Sequence, residues 1–519
     1  MALQSNETRI SNRSRAAAAY SHKQPKLRTI SPLLRGTIRT VGMFAMAFLV
    51  AILTHLSSLN FEQVISASVF TLIIMATLLF WNFRLAIAFM GIGLLMILNV
   101  MDIPSLVMES KLDVILFLIG MMITVGVLKD LGLFTWIILT IISAKSMTAK
   151  LFVAISCVMG AIMACMVDEV TSIVFISALI FQVCDTLKLR PVPFIMMAVM
   201  ATNIGSAGTM LGNPVGILIG QNASPPLSFA DFMHWSFPLM TVEFTVTFFL
   251  LLWIFRTDIA EMDVKLQERR AMGLALGPIV SVPYRKSLFI LGLLVFFLSL
   301  HTSLERWLSL PPNTMLIMTP LILSGALMVW RHNQARKYIE HDVEWWTLMF
   351  FMMLFAVAGT LEHTKVTEAM AEGFASTFGD NPVVLVPVIL ALSAIGSAFV
   401  DNIVFVAAFM PVVTKLEQTP LLWALLHGAC LGGNITMIGS TANIVALGMM
   451  EKRYRIGVNF FAWFRTGLLV GAVSCLVAWG GIVLLSPYMP THAERMARVG
   501  MAAGEEKAAS VESGDRNEK

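Results

Sequence analysis

The sequence predicts an all-α polytopic membrane protein of about eleven transmembrane helices arranged as two inverted repeats. Three observations predict it. Of the 519 residues, 57% are hydrophobic and only 13% are charged, a balance too apolar for a soluble chain of this length. The apolar runs are about 16 to 24 residues long, enough to cross a hydrocarbon core as helices, and none shows the short alternation of an outer-membrane barrel. The third observation is a set of polar residues that recurs at constant spacing in the two halves of the chain.

Residues 1–40 hold eight Lys and Arg against the single acid Glu7, with no small-residue cleavage site before the first apolar run. They read as a basic cytoplasmic tail and not as a cleaved signal peptide. An organelle transit peptide shares this composition, so an organelle membrane stays open beside a bacterial inner or plasma membrane. Residues 41–60 form an extra N-terminal helix. A first repeat over 61–255 carries apolar runs near 64–81, 84–100, 113–143, 192–220 and 232–255. A cytoplasmic linker, 256–286, leads to a second repeat over 287–486, with runs near 287–305, 313–330, 344–361, 420–450 and 464–486. Residues 487–519, rich in Ala, Glu and Lys, predict a disordered C-terminal tail. Two further apolar stretches, 150–187 and 381–417, are interrupted at the middle by Asp; if each enters and leaves on one side, about eleven crossings result. With the N-terminal tail inside, 25 of the 36 Lys and Arg fall on the cytoplasmic side and 9 on the other, the bias expected of that orientation.

At an offset of 233, AIMACMVDEVTSIVF (161–175) lies over AIGSAFVDNIVFVAA (394–408), Gly126 falls on Gly359 and Asp168 on Asp401. Further on the offset is 227, where Thr209-Met210-Leu211-Gly212 meets Thr436-Met437-Ile438-Gly439. An odd number of crossings in each copy turns the second upside down, as in many secondary transporters. Each copy also has a Gly-rich polar interruption, TNIGSAGTMLGNP (202–214) and GGNITMIGSTAN (432–443). Such stretches predict broken helices, tolerated in a membrane where protein or a wet cavity surrounds them. Their half-helix N-termini suit anionic groups, while free carbonyls and carboxylates suit Na+ or H+. The plainer alternative is that Gly205, Gly208, Gly432 and Gly433 only let helices approach closely.

The adjacent acids Asp168 and Glu169, with Asp401 and Asn402 as their counterpart, are the central candidates. An ionised carboxylate at the bilayer centre costs about 3 kcal/mol on insertion scales, so it needs a partner, a proton or a bound cation. Two crowded carboxylates favour exchange of a proton for Na+. The alternative is a surface loop, since 151–167 is long enough to span a bilayer as a straight helix.

On VDEVTSIVFISALI followed by TNIGSAGTMLGNP, and SAFVDNIVFVAAFMPVV followed by GACLGGNITMIGSTANIVALG, the chain resembles the ArsB/NhaD branch of the ion transporter superfamily. That group includes the pigment-cell P protein and, more distantly, the divalent-anion/sodium symporters. The resemblance covers about 110–220 and 340–485. It implies two re-entrant hairpins with tips at 168–171 and 401–402, two broken helices, a transport domain moving against a scaffold, and a homodimer. By the same resemblance Asp168, Thr171, Asn203, Thr209, Asp401, Asn402, Asn434, Thr436 and Asn443 hold ion and substrate, with Asp168, Asp401 and Asn434 as Na+ ligands; Glu169 and Asn213 complete the candidate set. Glu169 stands where family members often have Asn, and Gly216 stands where an amide is usual, a change that favours cations.

The function expected is secondary active transport, as a Na+(Li+)/H+ antiporter. The alternative is an anion permease for arsenite, citrate or another organic anion, and against it stands the lack of an obvious intramembrane Arg or Lys cluster, Lys129 excepted. The expected partners are a small inorganic ion or an organic anion and the lipid bilayer, with no nucleic acid and no cofactor beyond Na+ as a transported or coupling ion. No HExxH or GxSxG signature suggests an enzyme. His55, His234, His301 and His427 are isolated in sequence and read as packing or interfacial residues. The five cysteines show no CxxC pairing and read as reduced packing residues.

Overall fold

The computed structural model describes residues 32–497 except 57–58, 81–82, 134–135, 137–146, 272–283, 312–313, 380 and 456. Most of the N-terminal tail, the second part of the 113–143 run and most of the C-terminal tail therefore lie outside the described residues. Those described fold as helices joined by short turns. The first half comprises α1 (Pro32–Leu56), α2 (Phe61–Leu79), α3 (Arg84–Ile97), α4 (Ile103–Glu109), α5 (Leu112–Asp130), α6 (Ala149–Met166), α7 (Glu169–Leu187), α8 (Val192–Gly205), α9 (Pro214–Asn222) and α10 (Phe229–Ile254). The linker contains a polar helix, α11 (Arg256–Ala271). The second half comprises α12 (Tyr284–Ser299), α13 (His301–Leu308), α14 (Thr314–Trp330), α15 (His332–Asp342), α16 (Trp345–His363), α17 (Val366–Phe378), α18 (Pro382–Phe399), α19 (Asn402–Lys415), α20 (Thr419–Gly432), α21 (Thr441–Tyr454) and α22 (Phe460–Leu485).

Among the described residues, seven helices are long and apolar enough to cross a membrane, or eight if α14 and α15, bent by 101° at their junction, count as one span. Three of these seven, α6, α7 and α18, are hairpin arms that stand outside the eleven crossings expected, and two of those eleven runs are broken. The run at 192–220 is split into pieces of 14 and 9 residues and the run at 420–450 into pieces of 14 and 14, each too short to span alone.

Both arms of the α6–α7 hairpin are held by α11. Asp263 Oδ1 accepts from Ala149 N at 3.1 Å, and Lys265 Nζ donates to the Lys188 carbonyl at 3.0 Å. The hairpin therefore starts and finishes at one end of the molecule. The α18–α19 hairpin follows α17 directly, and its far end returns there through Lys415 Nζ and Glu368 Oε1, 2.9 Å apart. The core sits between the hairpins and the broken helices, where α8 and α20 bury nearly every side chain. Two close backbone approaches fix this packing. A Cβ on Gly205 would meet Ala161 Cα at 2.4 Å, and one on Gly432 would meet Ala394 Cα at 2.6 Å, so each broken helix touches its hairpin where only glycine fits.

Candidate functional site

Four helices begin at the centre of the molecule, each with a polar side chain capping its first turn. Asp168 Oδ1 accepts from Thr171 N at 2.7 Å, Asn213 Oδ1 from Gly216 N at 2.9 Å, Asp401 Oδ1 from Ile403 N at 3.1 Å, and Ser440 Oγ from Ala442 N at 3.1 Å. Acids and small polar residues do this because the first N–H groups of a helix have no partner within it. The hairpin tips are joined to the broken-helix loops in matched ways. Thr209 Oγ1 donates to the Cys165 carbonyl and Thr436 Oγ1 to the Ala398 carbonyl; the same hydroxyls accept from Leu211 N at 3.2 Å and Ile438 N at 3.3 Å.

Side chains from both halves meet around Asn203, itself 1% exposed. Its Nδ2 donates to Asn434 Oδ1 at 2.9 Å and to Asn443 Oδ1 at 3.0 Å, and its Oδ1 lies 3.1 Å from Ser440 Oγ. Asn443 Nδ2 in turn donates to the Gly433 and Thr436 carbonyls at 2.7 and 2.8 Å, fixing the second loop. Ser440 Oγ also lies 3.2 Å from Glu169 Oε1. One hydroxyl carries one proton, so it cannot be given in full to both Asn203 Oδ1 and Glu169 Oε1. The network closes when Ser440 donates to Asn203 and Glu169 itself brings a proton to Ser440. The second carboxylate oxygen, Glu169 Oε2, is buried with no hydrogen-bond partner among the described residues.

Glu169 is 4% exposed and Asp401 3%. The charged groups acting on Glu169 are Asp401 and Asp168, both acids. Asp401 Oδ2 accepts from Thr441 Oγ1 at 2.7 Å and lies within electrostatic reach of Arg84, whose Nη2 donates to Thr347 Oγ1 at 3.3 Å. A cavity of about 260 Å3 runs beside α19 and α9 and is lined in part by Glu109, Lys111, Asn222, Glu362 and Thr414.

The structure thus brings together Glu169, Asn203, Asn434 and Asn443, and joins Thr209, Thr436 and Asp401 to the loops beside them. Asn213 stands apart from this cluster, donating to Ser206 Oγ of its own half at 2.9 Å and to Cys430 Sγ of the other at 3.2 Å. Asp168 and Thr171 bond within their own helix turn, and Asn402 Oδ1 accepts from Ile403 N at 2.9 Å. No hydrogen bond among the described residues links Asp168 with Asp401 or Asn434, the three expected Na+ ligands. Sequence reasoning passed over Ser440, Thr441 and Arg84. Ser440 had a signal, since it falls on Asn213 at the offset of 227. Arg84 had none, because its site neighbour Asp401 is far along the chain.

The sequence profile of the CitMHS family, described as a citrate transporter, matches residues 70–428. An uncharacterized transporter of Mycobacterium tuberculosis is 30% identical over 374 residues, covering 70% of this chain and 84% of the relative. One from Mycobacterium bovis is 32% identical over 375 residues, with the same coverage. The mouse P protein is 27% identical over 462 residues, which cover 72% of this chain and 54% of that protein. Among solved structures, the YdaH transporter of Alcanivorax borkumensis aligns over 74% of this chain and 88% of its own with a TM-score of 0.49 and 15% identity.

Proposed function

Because the chain belongs to the CitMHS citrate transporter family and is a membrane transporter, we propose that it exchanges Na+ or Li+ for H+ by alternating access. The observation that carries this reading is the proton shortage at Glu169 and Ser440: two acceptors face one hydroxyl, and a second carboxylate oxygen is buried without a hydrogen-bond partner. A buried carboxylate in such a place holds either a proton or a cation. In the proton-loaded state Glu169 donates to Ser440. In the cation-loaded state the proton leaves, and a small hard cation takes up the charge of Glu169 with oxygen ligands from the surrounding hydroxyls, amides and carbonyls. Asp401 and Asp168 add negative potential that favours the cation. Alternation follows if the two halves are inverted copies, so that the same tip-and-loop unit faces each side in turn. The matched threonine bonds and helix caps support that arrangement.

The second reading, a citrate carrier, is favoured by the family description and by four helix N-termini directed at one centre, which suit an anion once the acids are neutralised. The test is the full-length protein in liposomes with a pH-sensitive dye inside and an imposed pH gradient. Na+ or Li+ that dissipates the gradient in the native protein but not in Glu169→Gln supports antiport. Saturable citrate uptake without cation-driven proton movement replaces it by the second reading.

A further inference from the structure

His427 of α20 and Glu243 of α10 form a pair with both side chains 0% exposed. Nδ1 of the imidazole lies 2.9 Å from one carboxylate oxygen and 3.0 Å from the other. Its Nε2 lies 2.9 Å from Ser236 Oγ, and Ser236 Oγ donates at 2.6 Å to the carbonyl of Ala207, in the loop between α8 and α9. Ser236 ends a π-helical turn, Phe232–Ser236, within α10, and the wider turn sets its hydroxyl between loop and imidazole. Phe232 from this turn meets Trp423 of α20 edge-on with ring centroids 5.0 Å apart, so the junction is closed on its apolar side.

The hydrogen bonds dictate where protons sit. Ser236 spends its single proton on Ala207 and must accept from His427, so Nε2 carries a proton. Nδ1 faces a carboxylate, so a second proton lies between Nδ1 and Glu243. We propose that His427 and Glu243 form a proton-binding site, separate from Glu169, whose occupancy is tied to the position of the 206–213 loop. While Ala207 accepts from Ser236, the pair is held as imidazolium and carboxylate. When the loop moves and this bond breaks, the Ser236 hydroxyl turns to donate to Nε2, the Nε2 proton is released to solvent, and a neutral imidazole remains bonded through Nδ1–H to the Glu243 carboxylate. The charges near the pair are few. Cys475 of α22 and Cys430 of α20 lie within electrostatic reach of Glu243, and Glu169 acts on Cys430. Helices α8, α9 and α18 carry no ionisable side chain, α19 carries only the distant Lys415, and His234, in the same π turn as Ser236, is exposed.

The site stands on its own geometry and rests on the antiport reading only for its role in transport. It is tested by potentiometric titration of the purified full-length protein across the pH range in which it stays folded. The native chain is expected to take up about one proton more than His427→Gln/Glu243→Gln, whose amides preserve the hydrogen-bonded contact and the fold. Histidine-labelled 15N spectra should show the His427 ring passing from doubly to singly protonated over the same range. Ser236→Ala, which keeps the contact with Glu243 but removes the acceptor of the Nε2 proton and the link to the loop, should bind that proton more weakly and shift the pH profile of transport. Equal proton uptake by the native and double-variant proteins, or a His427 signal that does not change with pH, overturns the proposal. Should the double variant fail to fold, the 15N signal lost in folded His427→Gln or His427→Asn identifies the ring, and its pH response in the native protein decides. Glu169→Gln is expected to abolish cation-driven proton movement while leaving the pair's proton in place. A protein that moves neither Na+, Li+ nor citrate therefore defeats the transport reading without touching this one.

Discussion

The two tip-and-loop units share a frame and differ in what they present on it. Thr209 and Thr436 bind the same carbonyl of their hairpins, Asp168 and Asp401 cap the same helix, and Gly205 and Gly432 rest on Ala161 and Ala394. The chemistry placed on that frame is unequal. Glu169 stands opposite Asn402, Asn203 opposite Cys430, and Gly216 opposite Asn443. Backbone geometry is what has to be doubled for two matched units, whereas the ligands need to exist once, where the halves meet. A polar cluster assembled from both halves is the outcome.

The largest effect expected is on transport. Glu169→Gln removes the group that exchanges proton for cation, so cation-driven proton movement should fall to the level of protein-free liposomes; assay in liposomes at matched protein incorporation checks it. The next prediction concerns matched positions with unequal roles. Asn203→Ala strips partners from Asn434, Asn443 and Ser440 and should cost about 3 kcal/mol, against about 1 kcal/mol for Cys430→Ala, which loses a single contact with Asn213. Equal losses in thermal unfolding would erase the asymmetry. Gly205→Ala and Gly432→Ala should behave alike, each destabilising by about 1–3 kcal/mol because the added methyl group meets backbone. Thr209→Val and Thr436→Val should again match at about 0.5–1.5 kcal/mol each, and a wide gap between the two would break the shared frame.

The smallest effect lies at the surface. Lys415 holds the Glu368 carboxyl below the usual carboxylate range through their hydrogen bond. A depressed folded-state value means that the stabilisation is present above the unfolded-state value and is lost as pH falls through the lower folded-state one. Because both groups are exposed, salt should screen the effect. Glu368→Gln is therefore expected to leave the unfolding temperature near that of the native chain and to remove only this acid-side dependence.

Much of the frame was legible because glycine, threonine and asparagine inside apolar runs have few uses. Their recurrence at offsets of 233 and 227 marked the loops at 203–213 and 432–443, and the structure breaks helices there. The central cluster was legible as a set of residues but not as a set of partners. Asn203 and Asn434 were named, yet nothing in either stretch says that one donates to the other across 231 positions. The pair of His427 and Glu243 was hidden for the same reason: each sits alone in an apolar helix, and their partnership exists only once α10 and α20 are adjacent. Helix α11 was read as plain linker because charged residues surround its short apolar face, Ile259, Met262 and Leu266, which is buried in the core while the helix grips both arms of the first hairpin.

The contacts of Gly205 with Ala161 and of Gly432 with Ala394 have a mechanical corollary. With main chain lying on main chain, no lipid tail or rotating side chain fits between a hairpin and its broken helix. Neither tip is therefore free to swing as an independent flap. Each hairpin travels with the helix it leans on, and any opening must occur along seams that bulkier residues hold apart.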